Sequence, residues 1–227
     1  MFATLAVFFS ACTPVHMFVP PEVTPTYVPV AGRQGWQVGQ TITFADVTVD
    51  RIERYGSAEG FSFVGLGTTE AQKVCSFDVR RGERMARIGC VSTLATIDFQ
   101  QRFGGLGVTS TLESKHAYVC ERADDGGRGW RLLLMGADAE HSSGVLEIGD
   151  TRYEVVDQHK MEVGSVVSFQ ALGYSFRQST DGKVVGLVET VNDGRVWMDE
   201  SLDHARFAIP AAAAALLSCS GAEKPEG

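Results

Sequence analysis

Between residues 41 and 198, apolar and polar residues alternate in short runs cut by Gly, Asn and Asp. Two is the period of a strand, because successive side chains of an extended chain point to opposite faces. With no helical pattern between the runs, the spacing predicts an antiparallel all-β domain, either barrel or sandwich, rather than a parallel α/β sheet. The second half reads as a meander. Residues 145–148 and 151–156 flank Gly149-Asp150, residues 166–177 lead through 179–182 into 183–189, and Asn192-Asp193-Gly194 turns the chain into 195–198. Asn and Gly supply the positive φ of tight turns. The first half is rougher, with strands expected at 41–49, 60–65, 75–80, 87–94, 95–100, 118–121 and 130–134. Gly104-Gly105-Leu106-Gly107 reads as a joint between the halves.

The start has a different character. An apolar run, Phe2 to Phe9, is followed by Ser10-Ala11-Cys12 and then by Pro14, Pro20, Pro21, Pro25 and Pro29. A run of this length falls short of the ~20 residues of a membrane span and suits the core of a signal peptide. Small residues before one cysteine resemble the lipobox of bacterial lipoproteins. That resemblance implies a signal peptide over 1–11, lipidation of Cys12 and residence in the bacterial cell envelope, at the outer membrane where one is present. Residues 12–35 then read as the lipidated Cys and a semi-extended, Pro-rich tether. The alternative is an ordered edge segment laid along the domain by Tyr27 and Val28. Residues 36–220 form one β-domain and 221–227 a disordered tail.

Four cysteines remain: Cys75, Cys90, Cys120 and Cys219. Folding the chain about Gly82-Glu83 sets Val79 opposite Ala86, Phe77 opposite Ile88 and Cys75 opposite Cys90, all on one face. Ser76, Asp78, Arg80 and Arg87 fall on the other face, as a half-buried hairpin requires. This register predicts a Cys75–Cys90 disulfide and leaves Cys120 for Cys219.

The only strong helical candidate follows the last strand. Ser201 is placed to cap it, with Asp203 in its first turn, and Pro210 marks a kink or a second start. From Ala208 to Leu217 every residue is apolar, so the helix must be buried, and it is too short to span a bilayer. Strands closing on such a helix, with Gly182-Lys183-Val184-Val185-Gly186-Leu187-Val188 before the last hairpin, look like the tubby-like and LURP-one-related barrels. The resemblance covers residues 168–219. It implies a hydrophobic C-terminal helix threading a closed barrel, while a lipocalin-like barrel and a two-sheet sandwich stay open.

Function-bearing motifs are few. With 20 Lys and Arg against 28 Asp and Glu, the formal charge is −8, which argues against nucleic-acid binding. No polybasic cluster favours an anionic membrane surface, and no basic phosphoinositide site of the tubby type is present. The chain lacks G-x-S-x-G, H-E-x-x-H and P-loop motifs. Asp138, Glu140 and His141 are weak metal-ligand candidates in a polar stretch that reads better as a solvated loop. Asp124-Asp125-Gly126-Gly127 lacks the ligand alternation of a calcium loop. Trp36, Trp130, Trp197, Phe169, Tyr174 and Phe176 line either a ligand groove or, more simply, the core. These readings converge on a non-enzymatic envelope lipoprotein without a cofactor, attached to the membrane through its lipid and binding a protein partner or organising the cell surface. A carrier of a small apolar molecule is the alternative, and an unrecognised hydrolase or metal enzyme the second. A hollow or a plugged interior separates the first two.

Overall fold

The computed structural model describes residues 14–21, 23, 27–33, 40–63, 66–103, 106–122, 129–138, 141–163, 166–199, 201–202 and 205–219. Twelve antiparallel strands form one sheet. In chain order they are β1 (Val28–Pro29), β2 (Ile42–Phe44), β3 (Val47–Phe63), β4 (Leu66–Arg81), β5 (Arg84–Phe103), β6 (Leu106–Arg122), β7 (Trp130–Asp138), β8 (His141–Ile148), β9 (Thr151–Gln158), β10 (Gly173–Gln178), β11 (Val184–Glu189) and β12 (Arg195–Met198). From β2 to β12 each strand pairs with the next in sequence, and β1 returns to pair with β12. Reciprocal hydrogen bonds of 2.9 Å between Ala31 and Thr43 then join that edge to β2. The sheet is thereby nearly closed into a barrel, which joins the β1 and β2 edges that an open sheet would leave free.

The β4–β5 hairpin has the register read from its pattern, with Val79, Phe77 and Cys75 opposite Ala86, Ile88 and Cys90. The first-half strands are longer than expected. Residues 87–94 and 95–100 belong to the single strand β5, which stays paired with β6 as far as Phe103 and Leu106, so Leu106 and Gly107 of the expected joint between halves lie in a strand; Gly104 and Gly105 lie outside the described residues. β6 pairs with β7 only over His116–Arg122, so β3 to β6 continue as a four-stranded blade beyond the barrel. We call that end distal. Residues 166–172, expected as strand, precede β10 as irregular chain.

The barrel is plugged. Helix α1 (Ala208–Cys219) runs through its interior, and every residue from Ala208 to Ser218 is buried. Its walls are the inward residues of the strands, among them Phe77, Ile88, Leu132, Leu146, Val155 and Phe176. The helix starts at Ala208, not at Ser201. Pro210 sits in its first turn, where a missing N–H costs nothing because those donors have no intrahelical acceptor. At Gly186 a Cβ would lie 3.0 Å from both Ile209 and Phe176, so glycine lets helix and wall approach. The helix has no basic residue in its last turn. Arginines from outside it supply the positive charge that its C-terminal carbonyls favour. Arg33 Nε donates to the Leu217 carbonyl at 3.1 Å, and Arg54 donates twice to that of Ser218, at 2.9 and 2.7 Å.

Those contacts also correct the disulfide pairing. Cys75, Cys90 and Cys120 form a lateral row across β4, β5 and β6, so Cys90 has a cysteine on each side. The bonds are Cys75–Cys219 and Cys90–Cys120, in place of Cys75–Cys90 and Cys120–Cys219. Arg54 lies opposite Cys75 in the register and holds the Ser218 carbonyl, which brings Cys219 to Cys75. Cys90 then takes its other neighbour.

The segment expected as a tether is, in its described part, a piece of the fold. Met17 and Val23 are buried, and with Leu172, Leu187 and Trp197 they make a second, smaller core on the outer face of the β10–β12 wall. The ordered-edge alternative fits the described residues of this span, 14–21, 23 and 27–31, where Val28 and Pro29 pair with β12.

Candidate functional site

Among the described residues, two polar clusters join side chains from distant parts of the barrel. The first lies on the inner face, above the last turn of α1. Tyr118 is fully buried and donates to the Ala215 carbonyl at 2.9 Å. One pleat further toward the distal end, His116 is buried with its Nε2 2.9 Å from Ser92 Oγ and its Nδ1 3.3 Å from Ser142 Oγ. The Ser142 hydroxyl also bonds Tyr174, whose own hydroxyl is pushed up to about 12, mainly by burial. Ser92, His116, Ser142 and Tyr174 therefore make one hydroxyl–imidazole chain across β5, β6, β8 and β10. Such a chain satisfies polar atoms that would otherwise be costly to bury. It can pass a proton, and Ser92 with His116 has the spacing of a nucleophile and its base. The group at Nδ1 is a hydroxyl, which stabilises an imidazolium less than a carboxylate would.

The second cluster lies on the outer face of β11. Glu189 is completely buried, and its carboxylate takes Arg195 Nε at 3.0 Å and Nη2 at 2.6 Å, His16 Nδ1 at 2.8 Å, the Met17 amide at 3.2 Å and the Tyr27 hydroxyl at 3.4 Å. The Arg195 guanidinium also stacks over the Tyr27 ring, 4.5 Å from its centre. Burial and then the neighbouring Glu189 charge push the Tyr27 hydroxyl well above its ordinary value. A buried carboxylate is tolerated only when paired in this way. Here it pins the N-terminal segment to the barrel at three separate residues.

Cys12, Trp36, Glu140, Asp124 and Asp125 lie outside the described residues, as does the side chain of Asp138. His141, the remaining metal candidate, stacks on His159 with ring centres 5.1 Å apart. Among the described residues no three His, Cys, Asp or Glu side chains gather as a metal site. Trp130, Tyr174 and Phe176 belong to the interior core, Trp197 to the outer one, and Phe169 to neither, being 92 % exposed. An open cleft of about 470 Å³ at the end opposite the blade is lined by Asp46, Arg81, Arg84, Arg206 and Phe207. Its Arg81 is already bound to Asp46 and to the Arg206 carbonyl. No helix among the described residues is long and apolar enough to cross a membrane.

The spacing that made the β4–β5 face legible carried no sign of either cluster. Their members lie up to 173 residues apart, and only the closed barrel joins them. Comparison with known proteins yields no relative: no family model matches the chain, and neither a curated protein nor a solved structure matches it.

Proposed function

We propose that this chain is a non-enzymatic lipoprotein of the bacterial cell envelope, anchored through Cys12, whose barrel is a structural or binding module. The observation that carries the module reading is the plugged interior. A carrier of an apolar molecule needs a lumen, and here α1 occupies it with every residue from Ala208 to Ser218 buried. Binding then falls to outer surfaces, which suits a domain held beside a membrane. The lipobox-like Ser10-Ala11-Cys12 supports the anchor. Metabolic labelling with a palmitate analogue tests it: the wild-type chain takes up label and Cys12→Ala does not, and label retained by that variant removes the anchor.

A hydrolytic reading has one observation on its side, the 2.9 Å approach of Ser92 Oγ to His116 Nε2. Turnover of a small ester that is lost in Ser92→Ala would establish it over the module reading.

A further inference from the structure

The chain between β9 and β10 carries four apolar residues turned to solvent: Val163 at 80 % exposure, Val166 at 55 %, Val167 at 65 % and Phe169 at 92 %. A cluster of this kind on a monomer marks a contact surface. It is held out by structure. Lys160 and Val167 form an antiparallel bridge, the Met161 amide donates to the Val166 carbonyl at 3.1 Å, and the Ser168 amide donates to that of His159 at 2.7 Å. The His159 ring sits between the Ser168 carbonyl and the Asp157 carboxylate, at 3.1 and 3.0 Å. These contacts make a knuckle whose apolar residues point away from the barrel.

The N-terminal segment runs beside this knuckle. Met17 bridges Met161, the Phe18 amide donates to the Lys160 carbonyl at 2.8 Å, and the Glu162 amide donates to the His16 carbonyl at 2.9 Å. The Lys160 ammonium lies 3.9 Å from the centre of the Phe18 ring. Val15, itself 46 % exposed, has its carbonyl fixed by Asn192 Nδ2 at 2.7 Å. Cys12 is three residues before Val15, and three extended residues reach at most about 11 Å. A lipid on Cys12 therefore enters its bilayer within that distance of Val15, beside the knuckle.

From this juxtaposition we propose that the knuckle inserts Val163, Val166, Val167 and Phe169 into the interface of the bilayer that holds the lipid. The proposal deepens the lipoprotein reading and rests on it. The occupant is lipid rather than protein because the tie from Val15 back to Cys12 is too short to hold the knuckle clear of the surface. Insertion is apolar in character: the nearby Arg195 is engaged by Glu162 and Glu189, and no polybasic cluster adds an electrostatic pull.

The test uses the full chain carrying Phe169→Trp, purified from the membranes of host cells grown with the palmitate analogue, whether or not it carries label, and reconstituted into vesicles of brominated phosphatidylcholine. Met85→Trp serves as the control, because Met85 is exposed beside the β4–β5 turn at the opposite end of the barrel. After subtraction of the wild-type signal, the emission of Trp at 169 is expected to fall by about half, as for a group 5–10 Å deep in the interface, and that of Trp at 85 to stay unchanged. Equal quenching at the two positions, or at neither, overturns the proposal. So does quenching that requires added phosphatidylglycerol, which marks electrostatic adsorption, or a blue shift that grows with protein concentration in the absence of lipid, which marks a second copy on the knuckle. The palmitate label is read on the same preparation. Label without quenching refutes the knuckle and leaves the anchor, whereas quenching without label refutes the anchor and leaves the knuckle.

Discussion

The two faces of β10, β11 and β12 are both covered, by opposite means. Inside, α1 and the inward side chains form an apolar contact from Ala208 to Leu217, closed at the helix end by the Cys75–Cys219 bond. Outside, Met17, Val19, Val23 and Tyr27 cover the strands with a smaller apolar set whose centre is a carboxylate, Glu189. The inner contact is non-directional and scales with area, so it gives bulk stability and tolerates no charge. The outer one depends on a few directional partners, so it gives position, and a single substitution can release it without unfolding the barrel. That division fits a domain whose body is rigid and whose N-terminal segment determines where the body sits.

The sharpest challenge to the inner face is Ala213→Asp. It puts an unpaired carboxylate into the plug, where Ala213 is 1 % exposed, and the domain is expected to lose about 5 kcal/mol or to unfold. Urea denaturation reads the change. A variant that melts like wild type would show that the helix lies outside the barrel. Second in size is the loss of Cys75–Cys219, whose partners are 144 residues apart, against Cys90–Cys120, which spans 30. Chain entropy assigns about 5 kcal/mol to the first and about 3.5 to the second as upper values, so Cys75→Ser with Cys219→Ser is the more damaging pair. Peptide mapping under non-reducing conditions decides the connectivity directly, and a Cys75–Cys90 peptide would restore the pairing expected from the hairpin register.

Glu189→Ala challenges the outer face. It strips His16, Met17, Tyr27 and Arg195 of their common acceptor and leaves a part-buried guanidinium without its main counter-charge, at a cost of about 3 kcal/mol. The expected signature is local: amide protection falls at Met17 and Phe18 in hydrogen exchange while the amides of Leu132 and Leu146 keep theirs. Uniform loss across the chain would mean that the two faces are one cooperative unit.

The inner face was the more legible one in sequence because its physics is local and periodic. Alternation fixes which residues of β4 and β5 face inward, and the unbroken apolar run from Ala208 to Leu217 has no soluble solution except burial. What alternation cannot carry is a choice between neighbours of equal register. Cys90 stands between two cysteines, and only the arrival of the helix end beside Cys75 breaks the tie. The outer face was opaque for another reason. Prolines erase any period in residues 14–29, so Met17 and Val23 look like tether until β11 supplies Glu189 and Leu187 beneath them. His116 was equally hidden, its two serine partners lying 24 and 26 residues away on other strands.

The smallest predicted effect concerns how the chain passes from outer wall to inner plug. Asp199 follows β12 and organises the turn that leads toward α1: its carboxylate accepts the Lys183 ammonium at 2.8 Å, the Ser201 hydroxyl at 2.6 Å and the Ser201 amide at 3.0 Å. The Lys183 contact, followed by that of Ser201, holds its carboxyl at about 2, below the ordinary 3.8. A carboxyl depressed by folding contributes stability above the unfolded value, and that stability is lost as pH falls through the window from about 4 to about 2. Lys183 is 55 % exposed, and solvent screening keeps the contribution to about 1 kcal/mol or less. In Asp199→Asn the acid limb of stability against pH should be shallower across that window by this amount, with the two proteins converging below pH 2. An unchanged acid limb would show that the turn is held by its backbone bonds, Asp199 N to the Val185 carbonyl and Leu202 N to that of Asp199, and not by the carboxylate.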